Sequence, residues 1–135
     1  MGSNKYKVLV VQGLHEQGLE MLKQRSDIEF KVLLSDDENE ILEAAKDVNG
    51  ITVRTAQITE KIINSSKNLQ VISRHGVGYD SINLKSLNKK KIPLTIAAHS
   101  NMISVSEQAM FFLLALNKNV FYYDDFTRKG DWTNR

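Results

Sequence analysis

The chain has 135 residues, 41% of them hydrophobic and 25% charged, with 18 Lys and Arg against 16 Asp and Glu and a formal net charge of +2. That length suits one domain with a single core, and the near-balance of charge gives no general drive toward nucleic acid or a membrane surface. Without cysteine, disulfide and thiolate chemistry are excluded, and a reducing cytoplasm is compatible with the composition.

Met1-Gly2-Ser3 reads as a cloning remnant, and no secretory leader precedes the apolar "YKVLVV", Tyr6 to Val11, which is expected to be a buried strand. Helical spacing follows in "HEQGLEMLKQR", where Leu14, Leu19 and Leu22 fall roughly on one face. "IEFKVLL", Ile28 to Leu34, is rich in β-formers. "SDDENEILEAAKD" opens with a serine suited to capping, and its early acids favour a helix start.

"GITVRT", Gly50 to Thr55, is a short strand, and Thr59 is placed to cap a helical turn carrying Ile62 and Ile63. "LQVIS", Leu69 to Ser73, is a fourth strand, Leu84 to Asn88 a short helix with Asp80 placed to cap it, and "IPLTIAA", Ile92 to Ala98, a fifth strand with Pro93 near its start. Lys89-Lys90-Lys91 is the one basic run and reads as a solvated helix end. Strands alternating with helices imply a doubly wound parallel α/β sheet covered on both faces.

The last element differs. "SVSEQAMFFLLALNKNVFYYDDF" begins with Ser104 and Glu107 at capping-box spacing and is expected to run as one helix. From Ala109 to Leu116 it is apolar all round, more than one sheet face requires, and too short to span a bilayer. This predicts a helix buried between its own domain and another body. Trp132 is expected to pack under a turn.

In open parallel sheets ligands bind beyond the carboxyl ends of the strands. Those ends carry Gln12-Gly13, Arg54-Thr55, "RHGVG" from Arg74 to Gly78, and Ala98-His99-Ser100-Asn101. Gly76 and Gly78 can bring backbone N–H groups close to a ligand, and with Arg54 they suit a small anion. The same Gly-x-Gly also serves as a plain strand-to-helix turn. No GxGxxG, Walker A, HExxH or GxSxG occurs, and no His/Asp/Glu group has metal-ligand spacing.

Four stretches stand in one order: "VRT", "SRHGVGYDSINL", "IPLTIAAHSNMISVSEQAMFFLLAL" and "TRKGDW". Together they resemble the D-isomer-specific 2-hydroxyacid dehydrogenase family, the group containing D-3-phosphoglycerate dehydrogenase, over nearly the whole chain. The resemblance implies a flavodoxin-like five-stranded substrate (catalytic) domain over residues 1–100. Residues 101–135 would then supply an interdomain and dimerisation helix and the start of a Rossmann, NAD-binding domain whose remainder is absent. It implies NAD, bound mainly by that absent domain, with NADP equally open, and a small anionic 2-hydroxy or 2-keto acid as substrate. It also implies a cytoplasmic homodimer formed through the 104–118 helix.

By the same resemblance, Arg54 and Thr55 meet the distal end of the substrate. Arg74, His75, Gly76, Val77 and Gly78 form the loop that holds its carboxylate. Val77, Asn101 and Ser104 lie toward the cofactor, with Glu107 in the same crossing segment. Two departures stand out: Ala98, His99 and Ser100 replace the family's Pro-Gly before the asparagine, and "D-N-I-D" reads Asp80-Ser81-Ile82-Asn83. The family's acid/base histidine, its carboxylate partner and its substrate arginine match no position here. The chain alone is therefore expected to be inactive, as part of an NAD-dependent 2-hydroxyacid dehydrogenase. Two other readings fit the same fold: a stand-alone flavodoxin-like binding or signalling module, and an NAD-sensing corepressor-like relative.

Overall fold

A computed structural model describes residues 5–133; Met1-Gly2-Ser3 falls outside them. The chain divides into two compact units between Ser100 and Asn101. The first contains five strands and four helices: β1 (Tyr6–Val11), α1 (Glu16–Lys23), β2 (Ile28–Leu33), α2 (Glu38–Ala44), β3 (Gly50–Val53), α3 (Glu60–Ser65), β4 (Val71–Arg74), α4 (Leu84–Lys90) and β5 (Leu94–Ile96). The second contains α5 (Met102–Asn117) and α6 (Val120–Lys129).

All strand pairs are parallel, in the order β2-β1-β3-β4-β5. Right-handed crossovers then put α1 on one face and α2, α3 and α4 on the other, because only the β1-to-β2 connection runs in the reverse direction across the sheet. Leu9, Val11, Ile51, Val53 and Ile72 point to the three-helix face and form one cluster with Ile41, Ala45, Ile62, Ile63 and Leu87. Alternation sends Val8, Val10, Thr52, Val71 and Ser73 to the other side. Val10 is fully buried there, yet Ser73 and Thr95 are exposed. Helices thus lie on both faces, as the alternation implies, although α1 buries none of its own residues completely.

Helix starts follow local hydrogen bonding. Asp37, not Ser35, caps α2, its carboxylate accepting from the Asn39 and Glu40 amides at 2.9 and 3.0 Å. Ser35 instead takes the Asp37 amide at 3.1 Å. The Thr59 hydroxyl accepts from the Ile62 amide at 3.5 Å, as the spacing predicts. Asn83 rather than Asp80 caps α4, accepting from the Ser86 amide at 3.0 Å. In the lysine run, the Lys90 ammonium donates to the Ile63 carbonyl at 2.6 Å at the end of α3.

The expected single terminal helix is two. α5 begins at Met102 without a side-chain cap, so Ser104 lies inside its first turn and the Ser104–Glu107 capping box does not form. The chain breaks after Asn117, where Asn119 is left-handed with φ 47°. Among the described residues of this unit only Ala115 is buried, while Met110, Phe111, Phe112, Leu113 and Leu116 are at least half exposed. Trp132 is 65% exposed, so it packs under no turn. Among the described residues no helix is long and apolar enough to cross a membrane.

Candidate functional site

The register sets the site. Val11, Val53, Arg74 and Ile96 are successive partners across β1, β3, β4 and β5. Each strand therefore delivers its next residues, beginning with Gln12, Arg54, His75 and Ala97, to one rim. Two loops on that rim are stitched together. The Ile58 amide donates to the Ser81 carbonyl at 2.8 Å, and the Asn83 amide donates to the Ile58 carbonyl at 3.0 Å. This small parallel bridge brings the β3–α3 and β4–α4 connections side by side.

Between them lies a cavity of about 280 Å³ lined by Thr55, Gln57, Arg74, Gly78, Asp80 and Ser81. Thr55, Arg74 and Gly78 were expected there from the sequence. Gln57, Asp80 and Ser81 were not, because the signal that gathers them is the Ile58–Ile82 bridge, which strand periodicity does not display. Arg54 lies on the same rim but does not line this cavity. It is exposed, with no hydrogen bond or ion pair among the described residues.

Part of the glycine loop's backbone is already committed to hydrogen bonds within the protein. The Gly76 amide turns back to the Arg74 carbonyl at 2.9 Å, and the His75 amide is spent on the Val53 carbonyl at 2.8 Å. The Gly76 carbonyl accepts from the Ala97 amide at 3.0 Å. Only the Val77 and Gly78 amides of this loop have no protein acceptor among the described residues, so two backbone donors remain uncommitted. Of the two glycines, Gly76 alone has a φ that side chains resist, +149°. Gly78 has ordinary φ, and a Cβ there would meet only Asp80 Oδ2 at 3.7 Å.

Arg74 braces this loop. Its Nη1 donates to the His75 carbonyl, and its guanidinium lies against the Gly76 backbone. Its Nε is buried without a partner. The cavity thus holds one cation and one carboxylate, Arg74 and Asp80, among neutral hydroxyls and an amide.

Gln12 crosses from β1 to the next loop. Its Oε1 accepts from the Thr55 amide at 2.6 Å and the Ala56 amide at 2.7 Å. Its backbone sits at φ 66°, a conformation costing a non-glycine residue about 1–2 kcal/mol, which these bonds offset. His75 and His99 are exposed, and neither lines the cavity. Asn101 stands at the start of α5 with its side chain uncommitted to capping, and Ser104 lies one turn into that helix. Among the described residues no group of three or more His, Asp or Glu is placed to hold a metal. The described residues also contain no glycine-rich fingerprint that would cradle a dinucleotide.

The model of the D-isomer specific 2-hydroxyacid dehydrogenase catalytic domain matches residues 8–129. D-3-phosphoglycerate dehydrogenase of Methanocaldococcus jannaschii is 31% identical over 130 residues, covering 96% of this chain and 24% of that protein. Glyoxylate reductase of Thermococcus onnurineus is 28% identical over 137 residues, covering 97% of this chain and 40% of that protein. A crystal structure from Pyrococcus horikoshii OT3 superposes with a TM-score of 0.83 at 29% identity, over 97% of this chain and 39% of that one. D-Lactate dehydrogenase from Aquifex aeolicus, complexed with NAD and lactic acid, shares the fold with a TM-score of 0.77 at 23% identity, over 95% of this chain and 39% of that one. The chain therefore spans roughly a quarter to two-fifths of the length of the proteins it matches.

Proposed function

The chain belongs to the D-isomer specific 2-hydroxyacid dehydrogenase family, and from that premise we propose that residues 1–100 are the substrate domain of an NAD-dependent oxidoreductase interconverting a small D-2-hydroxy acid and its 2-keto acid. One observation carries the reading: β1, β3, β4 and β5 end in register, placing Arg54, Arg74 and the free Val77 and Gly78 amides on a single rim. Names of relatives, glyoxylate reductase and D-3-phosphoglycerate dehydrogenase, support the substrate class.

In this reading the Val77 and Gly78 amides hold the substrate carboxylate, since charge-assisted bonds to backbone N–H are worth about 1.5–3 kcal/mol each. Arg54, exposed and without a partner among the described residues, closes on the distal end. Thr55 supplies a hydroxyl, and Arg74 keeps the loop in shape. Bound NAD would supply the acceptor or donor of hydride, and Val77, Asn101 and Ser104 are this chain's residues toward it. Among the side chains lining the cavity the one carboxylate is Asp80, and no histidine lines it. Residues 101–135 serve as the interdomain element and the homodimer contact, and the enzyme works in the cytoplasm.

Titration of the ¹⁵N-labelled chain with glyoxylate and D-glycerate tests this. The Val77 and Gly78 amides should shift with saturation, and Arg54→Gln should weaken binding about tenfold or more. Absence of any shift in that loop, or shifts confined to another part of the surface, would remove the reading.

A further inference from the structure

Gln12 has no counterpart in the functional reading so far, yet it makes the densest set of side-chain bonds at the rim. It is half-buried and held at φ 66°. Beyond the end of β3 at Val53, the amides of Thr55 and Ala56 have no backbone acceptor, and both go to Gln12 Oε1, at 2.6 and 2.7 Å. These two bonds fill the lone pairs of that oxygen. Thr55 Oγ1 lies 3.1 Å from Gln12 Nε2 and 3.2 Å from Oε1. The hydroxyl accepts from Nε2, and its own donation to Oε1 at 3.2 Å is the longest of three bonds competing for an oxygen that two amides already occupy, so its proton can turn instead toward the cavity that Thr55 lines.

We propose that Gln12 is a positioning residue for the anion site, fixing the Arg54–Thr55 segment on the rim and leaving the Thr55 hydroxyl free as a donor to the bound acid. The proposal rests on the carboxylate-binding reading above. It explains why an uncharged amide stands there. A glutamate could accept the same two amides, but its second oxygen would take the Thr55 proton, and its charge would oppose an anion a few ångströms away. An apolar side chain of similar length would leave two amides without partners and release the segment that carries Arg54.

The test compares the 135-residue chain with Gln12→Met and Gln12→Glu, using oxalate as the probe anion. Two readouts are followed: amide hydrogen exchange at Thr55 and Ala56, and the oxalate dissociation constant from the Val77 and Gly78 shifts. Gln12→Met should exchange at Thr55 and Ala56 about tenfold faster or more and bind oxalate about tenfold more weakly. Gln12→Glu should keep the protection yet still lose affinity, a separation that a purely structural role would not produce. Oxalate binding left unchanged in a folded Gln12→Met overturns the proposal while the anion site stands. Wild-type Val77 and Gly78 amides that ignore oxalate remove the site itself and the proposal with it. If Gln12→Met does not fold, Gln12→Glu decides alone, and wild-type affinity in that variant overturns the assignment.

Discussion

The Arg74 guanidinium occupies the space a side chain at Gly76 would need: a Cβ built on Gly76 would lie 2.5 Å from Arg74 Nη1 and 3.1 Å from its Cζ. The two residues are thus coupled twice, through this contact and through the hydrogen bond from Gly76 N–H to the Arg74 carbonyl. Gly76→Ala should cost about 1–3 kcal/mol, from its φ of +149° together with the displaced guanidinium. In an Arg74→Ala background the steric part disappears and the backbone part remains. A double-mutant cycle by denaturant unfolding should therefore give a coupling above about 0.5 kcal/mol. Strict additivity would mean that the guanidinium does not pack against Gly76.

The start of α2 offers a cleaner stability test. Asp37 satisfies two orphan amides of the first turn, whereas Ser35 satisfies the Asp37 amide outside the helix. Asp37→Ala should cost about 1 kcal/mol, within the usual range for a lost N-cap, and Ser35→Ala distinctly less. The reverse order in thermal unfolding would restore serine as the cap.

These cases mark what the sequence discloses. Apolar runs such as Leu9–Val11 and Ile51–Val53, separated by helical spacing, reveal the order of strands and helices because burial on a parallel sheet demands them. Arg54 and Gly76 are visible as rim residues for the same reason. The cap of α2 is ambiguous, since Ser35, Asp36 and Asp37 all accept hydrogen bonds and only backbone geometry selects among them. The break at Asn119 is hidden because Asn enters the left-handed region at little cost and leaves no glycine or proline as a marker. Gln12 is visible as a rim residue too, but its bonds to Thr55 and Ala56, like the placing of Gln57 and Asp80, are illegible: they arise from the register between distant strands and from the Ile58–Ile82 bridge, which no local pattern encodes.

At the amino rim, Lys7 and Asp47 form an exposed ion pair. The Asp47 carboxyl is held below its ordinary value of 3.8, first by the hydrogen bond from Lys7, then by the Lys7 charge and the Asn68 amide. Lys7 is raised above 10.5 chiefly by the same hydrogen bond. A carboxylate with a depressed folded pKa contributes stability above its unfolded value and loses it as pH falls through the folded one; a raised lysine loses its contribution as pH rises through its own. The melting-temperature gap between wild type and Asp47→Asn should therefore be widest at intermediate pH and close below the folded pKa of Asp47. It should also narrow at high salt, since both groups face water. A gap that persists in acid would assign the effect to something other than this pair.

The second unit presents Phe111, Phe112 and Leu113 at 50%, 53% and 62% exposure on one stretch of α5. Water is a poor neighbour for such a run, so the proposed dimer contact should appear as concentration-dependent association in sedimentation equilibrium. Leu113→Glu, with helicity unchanged by circular dichroism, should weaken it about tenfold or more, since burying a leucine is worth about 1.5–3 kcal/mol. A monomer at all accessible concentrations would dismiss the contact.

Binding and turnover should separate in this chain. The rim offers amides, hydroxyls and guanidinium groups, all suited to hold an acid. A 2-hydroxy acid, however, must also lose its hydroxyl proton to a base within about 2.6–3.2 Å, directly or through one water. His75 and His99 are exposed and outside the cavity lining, whose one carboxylate is Asp80, and the described residues contain no dinucleotide fingerprint to hold a cofactor beside it. The purified chain should therefore bind glyoxylate or D-glycerate and yet leave the NADH absorbance unchanged over hours with either acid and NAD or NADH. Steady cofactor turnover, scaling with protein and abolished by His75→Asn, would place the base in the glycine loop and reverse this assignment.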